Sequence, residues 1–211
     1  MPFELNQKEG ETLVKLARTA VEECLKNGRR ITLPDGFPKK LMERCGVFVT
    51  INIVRGKEKE LRGCIGLPYP TTPLGEAVLE AAIESATQDP RFPSLTQNEL
   101  ENVVFEVSVL TPPRLIETRN PKEYLSKIKV GEDGLIIERG MYKGLLLPQV
   151  PVEWQWDCQE FLCQCCMKAG LPPDNWLLKD TRIYKFQCVI AHELSPKGPV
   201  ELCTSAGEKI T

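Results

Sequence analysis

Between Val103 and Leu110 the chain alternates cleanly, with Val103, Phe105, Val107 and Val109 on one face and Glu106 and Ser108 on the other. Side chains leave a strand toward its two faces in turn, so this segment is a strand that gives one side to a core. Residues 46–54 repeat the pattern, Val47, Val49, Ile51 and Ile53 lying opposite Phe48, Thr50 and Asn52. Residues 55–60 make a polar connection, and 61–66 read as the returning strand of a hairpin ended by Leu67-Pro68-Tyr69-Pro70. A fold for this chain has to be built on sheet.

Helices must cover that sheet. Over residues 6–26, Leu13, Leu16, Ala17, Ala20, Val21, Cys24 and Leu25 recur at helical spacing; Asn6 and Glu9 are spaced as a capping box, and Gly28 suits the left-handed stop. A second helix opens with Thr72 as N-cap and Pro73 at its first position, and its small residues Ala77, Ala81, Ala82 and Ser85 permit close packing on a sheet. Asp89-Pro90-Arg91-Phe92-Pro93 breaks it. Thr96 and Glu99 cap a short helix, and Asn120-Pro121 starts another. Residues 128–147 carry glycine turns between apolar runs, which suggests a small antiparallel meander forming a lobe of its own. A helix over 157–169 stops at Gly170, residues 182–190 read as one strand, and the polar stretch from Ser195 reads as a frayed tail.

Composition removes several classes of function. Twenty-seven Lys and Arg against 29 Asp and Glu give a net charge of −2, so nonspecific binding to nucleic acid is not expected. No apolar run approaches the roughly 18 to 20 residues that cross a bilayer. The count of nine cysteines is odd, and Met1 leads straight into a polar segment unlike a secretory leader. The expected setting is therefore a reducing cytoplasm. No P-loop, dinucleotide fingerprint, zincin helix or EF-hand loop is present, and neither cofactor nor metal is expected.

One motif stands out. In Leu61-Arg62-Gly63-Cys64-Ile65-Gly66 two glycines bracket a cysteine at the end of a strand, where glycine marks a bulge or a close approach of backbone. Period-two alternation puts Arg62 and Cys64 on one face. A guanidinium beside a thiol favours the nucleophilic thiolate, or holds an anionic ligand. The bland alternative is a cysteine packed as a small hydrophobe.

The motif resembles the signature of the AMMECR-type domain family, named for the AMME chromosomal region. Asp89-Pro90-Arg91-Phe92-Pro93-Ser94-Leu95, Glu106-Val107-Ser108-Val109-Leu110, Gly144-Leu145-Leu146-Leu147-Pro148-Gln149-Val150 and Lys168-Ala169-Gly170-Leu171 follow in the family's order and similar spacing. The resemblance implies an α+β fold of antiparallel sheets flanked by helices, with a larger and a smaller lobe and the signature by a cleft between them. It covers a single domain over residues 1–195, with 116–150 contributing to the smaller lobe and 196–211 left as the tail. It carries over Arg62 and Cys64 directly, and puts Glu106, Asp89, Arg91, Gln149, Glu153 and Trp156, with Gly63 and Gly66, among the cleft candidates. It also implies association with Memo-like and radical-SAM-like proteins. Pro151 departs from the family's usual small residue and removes a backbone donor.

Other groups read more simply. Cys158, Cys163, Cys165 and Cys166 lack the paired spacing of zinc sites, and Cys158, Cys165 and Cys166 share a core-facing helical side. His192, the sole histidine, follows a strand near the tail and reads as solvated. Trp154 and Trp156 line a pocket or anchor a core. Two functions remain open. One is a cysteine-dependent enzyme or small-ligand-binding protein using Cys64, Arg62 and Glu106, with a small molecule or a protein as partner. The other is a noncatalytic regulatory or interaction module serving a nucleic-acid or modification pathway.

Overall fold

The computed structural model describes residues 4–56 and 58–210. Along the chain run α1 (Gln7–Asn27), β1 (Gly46–Arg55), β2 (Glu58–Leu67), α2 (Leu74–Thr87), β3 (Val103–Leu110), β4 (Arg114–Leu115) and α3 (Tyr124–Lys127). Then follow β5 (Gly134–Arg139), β6 (Tyr142–Leu146), α4 (Gln149–Glu153), α5 (Cys158–Lys168), β7 (Arg182–Phe186), β8 (Cys188–Glu193) and β9 (Val200–Thr204). The strands make two antiparallel sheets, one in the order β2-β1-β3-β8-β9 and one in the order β4-β7-β5-β6, so the fold is α+β. Backbone contacts divide the chain into two units. The first holds the described residues up to Leu110, Val189–Cys203 and those from Lys209 on; the second is Thr111–Cys188 with Thr204–Glu208.

In the first unit α1 and α2 pack on one face of the five-stranded sheet. Val47, Val49, Ile51, Val103, Phe105, Val107 and Val109 are buried there with Leu13, Ala17, Ala20, Ala77, Val78 and Ala81. Fully burying a side chain such as Phe105 contributes about 1.5 to 3 kcal/mol. The ends of α1 follow from local chemistry: Asn6 Oδ1 accepts from the Glu9 N–H, Glu9 Oε2 accepts from the Asn6 N–H, and Gly28 closes the helix at φ 63°. The α2 entry differs by one position from expectation. Pro73 itself occupies the cap and no side-chain hydrogen bond is made there.

Arg18 is buried although it lies off the apolar stripe of α1. Its Nε donates to Glu193 Oε1 at 2.7 Å, one terminal nitrogen donates to the Val103 carbonyl at 2.7 Å, and the guanidinium lies 4.7 Å over the Phe105 ring. Glu193 also accepts from the Phe105 N–H at 3.0 Å, so this ion pair ties α1, β3 and β8 together. A buried charge is tolerated when it is paired and hydrogen bonded in this way.

Two expectations for the C-terminal third are overturned. Residues 182–190 are not one strand, because the chain leaves the second sheet at Phe186 and enters the first at Cys188. At the crossing the Gln187 N–H donates to Thr111 Oγ1 and the Thr111 N–H donates to the Gln187 carbonyl, each at 2.8 Å. Nor are the residues after Ser195 a tail. β9 forms the outer strand of the first sheet, where Leu202 is buried against Gly10 and Ala191. So short a strand carries too few apolar residues to announce itself.

In the second unit residues 128–147 supply one hairpin, β5–β6, rather than the whole meander expected there, and β7, from much later in the chain, pairs with the other edge of β5; Leu135 and Ile137 pack with Phe161, Leu162, Cys165, Cys166 and Ile183. Burial pushes the Cys166 thiol up to about 11 and that of Cys158, which packs at the edge of this core, also to about 11. These cysteines are packing residues. Pro151 sits within the first turn of α4, where its missing N–H would have no helical partner. Among the described residues no helix is long and apolar enough to cross a membrane.

Candidate functional site

The face of the first sheet turned away from α1 and α2 carries polar groups among apolar Phe48, Val104 and Leu110, and the register shows which of them meet. Thr50 on β1 pairs with Cys64 on β2 and, across its other edge, with Glu106 on β3. Directly opposed residues on neighbouring strands point to the same face, so Cys64, Thr50 and Glu106 stand in a row. The row continues onto β8 and β9, where His192 Nδ1 lies 3.9 Å from Cys203 Sγ and the His192 ring acts electrostatically on Glu106. Sequence reasoning placed His192 beside a tail. The available signal was the alternation of Val189 and Ala191 against Ile190 and His192.

Cys64 is a half-buried free thiol. The Thr50 hydroxyl donates to its sulfur at 3.3 Å. Burial pushes the Cys64 thiol up; the Thr50 hydrogen bond and the charge of Arg91 pull it down, and the carboxylates of Glu106 and Asp89 raise it. The balance lies upward, against the direction that a neighbouring guanidinium alone would give.

The guanidinium expected there is elsewhere. The β1–β2 register shifts between Ile51 and Asn52, pairing Ile51 with Gly63 and Asn52 with Leu61, and Arg62 is the extra residue of this bulge. Its Nε donates to Glu99 Oε1 at 2.8 Å, and its terminal nitrogens reach the carbonyls of Pro93 at 2.8 Å and Ser94 at 3.3 Å. These partners follow α2 in sequence. Arg62 therefore does not share the face of Cys64; it fastens the loop after α2 to the edge strand. The pairing holds the Glu99 carboxyl at about 2, with the Arg62 hydrogen bond as the main cause.

Arg91 supplies the cation that Arg62 does not. Asp89 accepts from Arg91 Nε at 3.0 Å and from a terminal nitrogen at 2.7 Å, and it also accepts from the Cys64 N–H at 2.8 Å. Arg91 donates in turn to the Cys64 carbonyl at 3.4 Å. The Asp89–Arg91 pair thus satisfies both backbone groups that Cys64 presents at the sheet edge, as a further strand would. The Arg91 hydrogen bonds outweigh burial and hold the Asp89 carboxyl well below the usual carboxylate range. The Asp89 side chain is 2% exposed and that of Arg91 54%, so the pair shows its positive end to solvent.

Both glycines of the motif answer to packing. A Cβ at Gly63 would stand 2.1 Å from the Ser85 carbonyl oxygen of α2, and one at Gly66 would stand 2.2 Å from the Phe48 ring. Close approach at Gly63 lets the Ser85 hydroxyl reach the seam between strands, where it accepts from the Ile65 N–H and donates to the Val49 carbonyl. Glu106 is pushed up by burial, against the lowering effects of His192, of Ser108 and of Lys59; Ser108 Oγ lies 3.4 Å from Glu106 Oε1. A carboxyl whose proton is held more tightly than usual is better matched to proton transfer.

Of the expected residues, Arg62, Gly63, Cys64, Gly66, Asp89, Arg91 and Glu106 all belong to the first unit. Gln149, Glu153 and Trp156 belong to the second. There Trp156 packs at the edge of the core and stacks on exposed Trp154 with centroids 6.2 Å apart, Glu153 is exposed, and Gln149 Oε1 is buried without a hydrogen-bond partner.

Comparison with known proteins extends the resemblance. The AMMECR1 family model matches residues 14–191. A protein of Thermococcus onnurineus is 56% identical over 200 residues, spanning 94% of this chain and 97% of its own length. Protein MJ0810 of Methanocaldococcus jannaschii is 52% identical over 196 residues, covering 93% and 96%. The crystal structure of protein PH0010 from Pyrococcus horikoshii superimposes with a TM-score of 0.81 at 55% identity, over 95% of this chain and 98% of that one. With a family match over most of its length and close relatives spanning nearly all of it, the chain belongs to the AMMECR1 family.

Proposed function

We propose that the protein binds a small anionic molecule on the polar face of its first sheet, around Cys64, and that any chemistry there is cysteine dependent. Arg91 receives the anionic group, the Cys64 thiol and the Thr50 hydroxyl contact the body of the ligand, and Glu106 handles protons. The observation that carries this reading is the row Cys64, Thr50 and Glu106, with two ionisable groups raised by burial on a face the helical core does not use. Perturbed titratable groups gathered beside an exposed cation are a common mark of a working site. Association with Memo-like and radical-SAM-like proteins, implied by the family, belongs to the same reading.

The competing reading is a noncatalytic module whose motif keeps the sheet tight. It draws on Arg62, Gly63 and Gly66, each of which is accounted for by packing or pairing. Thermal-shift screening against small carboxylates and phosphate esters separates the two. Ligand binding by the wild-type chain that is lost in Cys64→Ala and Arg91→Gln, with both variants still folded, supports the site. If Cys64→Ala only lowers stability and no anion shifts either protein, the module is correct.

A further inference from the structure

At the far end of the same row a second thiol meets a base. Cys203 Sγ lies 3.9 Å from His192 Nδ1, within reach of a sulfur hydrogen bond when the imidazole proton is on Nε2. The sheet order puts four strand spacings between Cys64 and Cys203, roughly 19 Å, too far for a disulfide between them. Both His192 and Cys203 fall outside residues 14–191, the span that the family model matches.

The groups around the pair define what it could take. Glu106 on β3 and Glu201 on β9 both act electrostatically on Cys203, His192 acts on Glu106 and Glu201, and Lys59 on β2 acts on Glu106 while donating to the Glu193 carbonyl at 3.2 Å. The Glu201 carboxylate beside the sulfur disfavours an anionic reactant. Cys203 is only 9% exposed, which limits the reactant to a very small molecule. Burial first, then Glu106 and Glu201, push its thiol up, so loss of its proton is helped by a base in contact with the sulfur.

We infer that Cys203 and His192 form a second reaction centre, in which the imidazole activates the thiol toward a small neutral hydroperoxide. His192 Nδ1 takes the Sγ proton and the sulfur attacks one peroxide oxygen. The S–O bond forms as the O–O bond breaks, and the leaving hydroxide, or alkoxide from an organic hydroperoxide, takes the proton from the imidazolium and departs as water or alcohol. Sulfur is oxidised by two electrons to a sulfenic acid and the peroxide is reduced.

The test uses the full chain with hydrogen peroxide as the probe, dimedone to trap sulfenic acid, and peptide mapping to assign each sulfur. Cys203 is expected to be trapped faster than Cys45, a buried thiol pushed up to about 12. His192→Gln should slow trapping by about tenfold or more with an unchanged melting temperature. Trapping at Cys203 no faster than at Cys45, or a His192→Gln rate equal to wild type, would each overturn the inference. Cys64 is mapped in the same digest, so failure at Cys203 leaves the Cys64 reading to be judged separately.

Discussion

Thr50 and Cys64 face each other across β1 and β2, and the Thr50 hydroxyl donates to the Cys64 sulfur at 3.3 Å. This contact is the largest influence pulling the thiol down against burial. Thr50→Val keeps the shape and removes the donor, so Cys64 should alkylate more slowly at neutral pH, with its midpoint moved to higher pH. The stability cost should be about 0.5 to 1.5 kcal/mol, that of one hydrogen bond. Rates of iodoacetamide labelling across pH, read by mass spectrometry, check it.

Asp89 sets the acid limit of the edge strand. Its carboxyl lies below its unfolded value, so the stability it contributes is present above about pH 4 and is lost as pH falls toward the lower folded value. Asp89→Asn should flatten the fall in stability below about pH 4. At neutral pH it should cost about 1 to 3 kcal/mol through its bonds to Arg91 and the Cys64 N–H. Urea unfolding at a series of pH values gives both quantities. An unchanged acid slope in the variant would mean that Asp89 is not the group responsible.

Two arginines near the motif should separate stability from binding. Arg62→Gln breaks the Glu99 pair and two carbonyl contacts and should lower stability by about 1 to 3 kcal/mol. It should also weaken the acid dependence that Glu99 contributes, which is present above its unfolded value and lost as pH falls toward about 2. Arg91→Gln should lose anion binding, because Arg91 offers the exposed guanidinium. Melting temperatures and ligand shifts of both variants, compared side by side, decide the assignment.

Glu106 carries the opposite sign. Burial raises its folded value, so its contribution to stability is complete below about pH 4.5 and declines as pH rises through the folded value. Glu106→Gln should therefore be at least as stable as wild type at neutral pH while losing ligand-dependent stabilisation. Gain of stability with loss of binding is the pattern of a group kept for function. A clear loss of stability at neutral pH would mark it as structural instead.

How far the sequence foretold this site depends on which force set each residue. The faces of β1 and β3 follow from alternation, because Phe105 and Val107 can be buried only on the side opposite Glu106 and Ser108. That alternation also brings Cys64 and Glu106 to one face through Thr50. Arg62 departs from the alternation because it falls at a bulge, and its partner Glu99 lies 37 residues away. Arg91 was among the named candidates, but its hold on both backbone groups of Cys64 depends on where the chain turns after α2. His192 and Cys203 were missed since their partners lie on separate strands, one of them within a segment whose polarity hides its single buried leucine.

The most direct measurement is the pH dependence of Cys64 alkylation in the native chain, repeated with Arg91→Gln and with saturating small anions. The account expects a midpoint above the ordinary thiol value, a further rise in Arg91→Gln, and protection of Cys64 by an anion in the wild-type chain only. A midpoint below the ordinary thiol value, or labelling that no anion and no change at Arg91 affects, would contradict it.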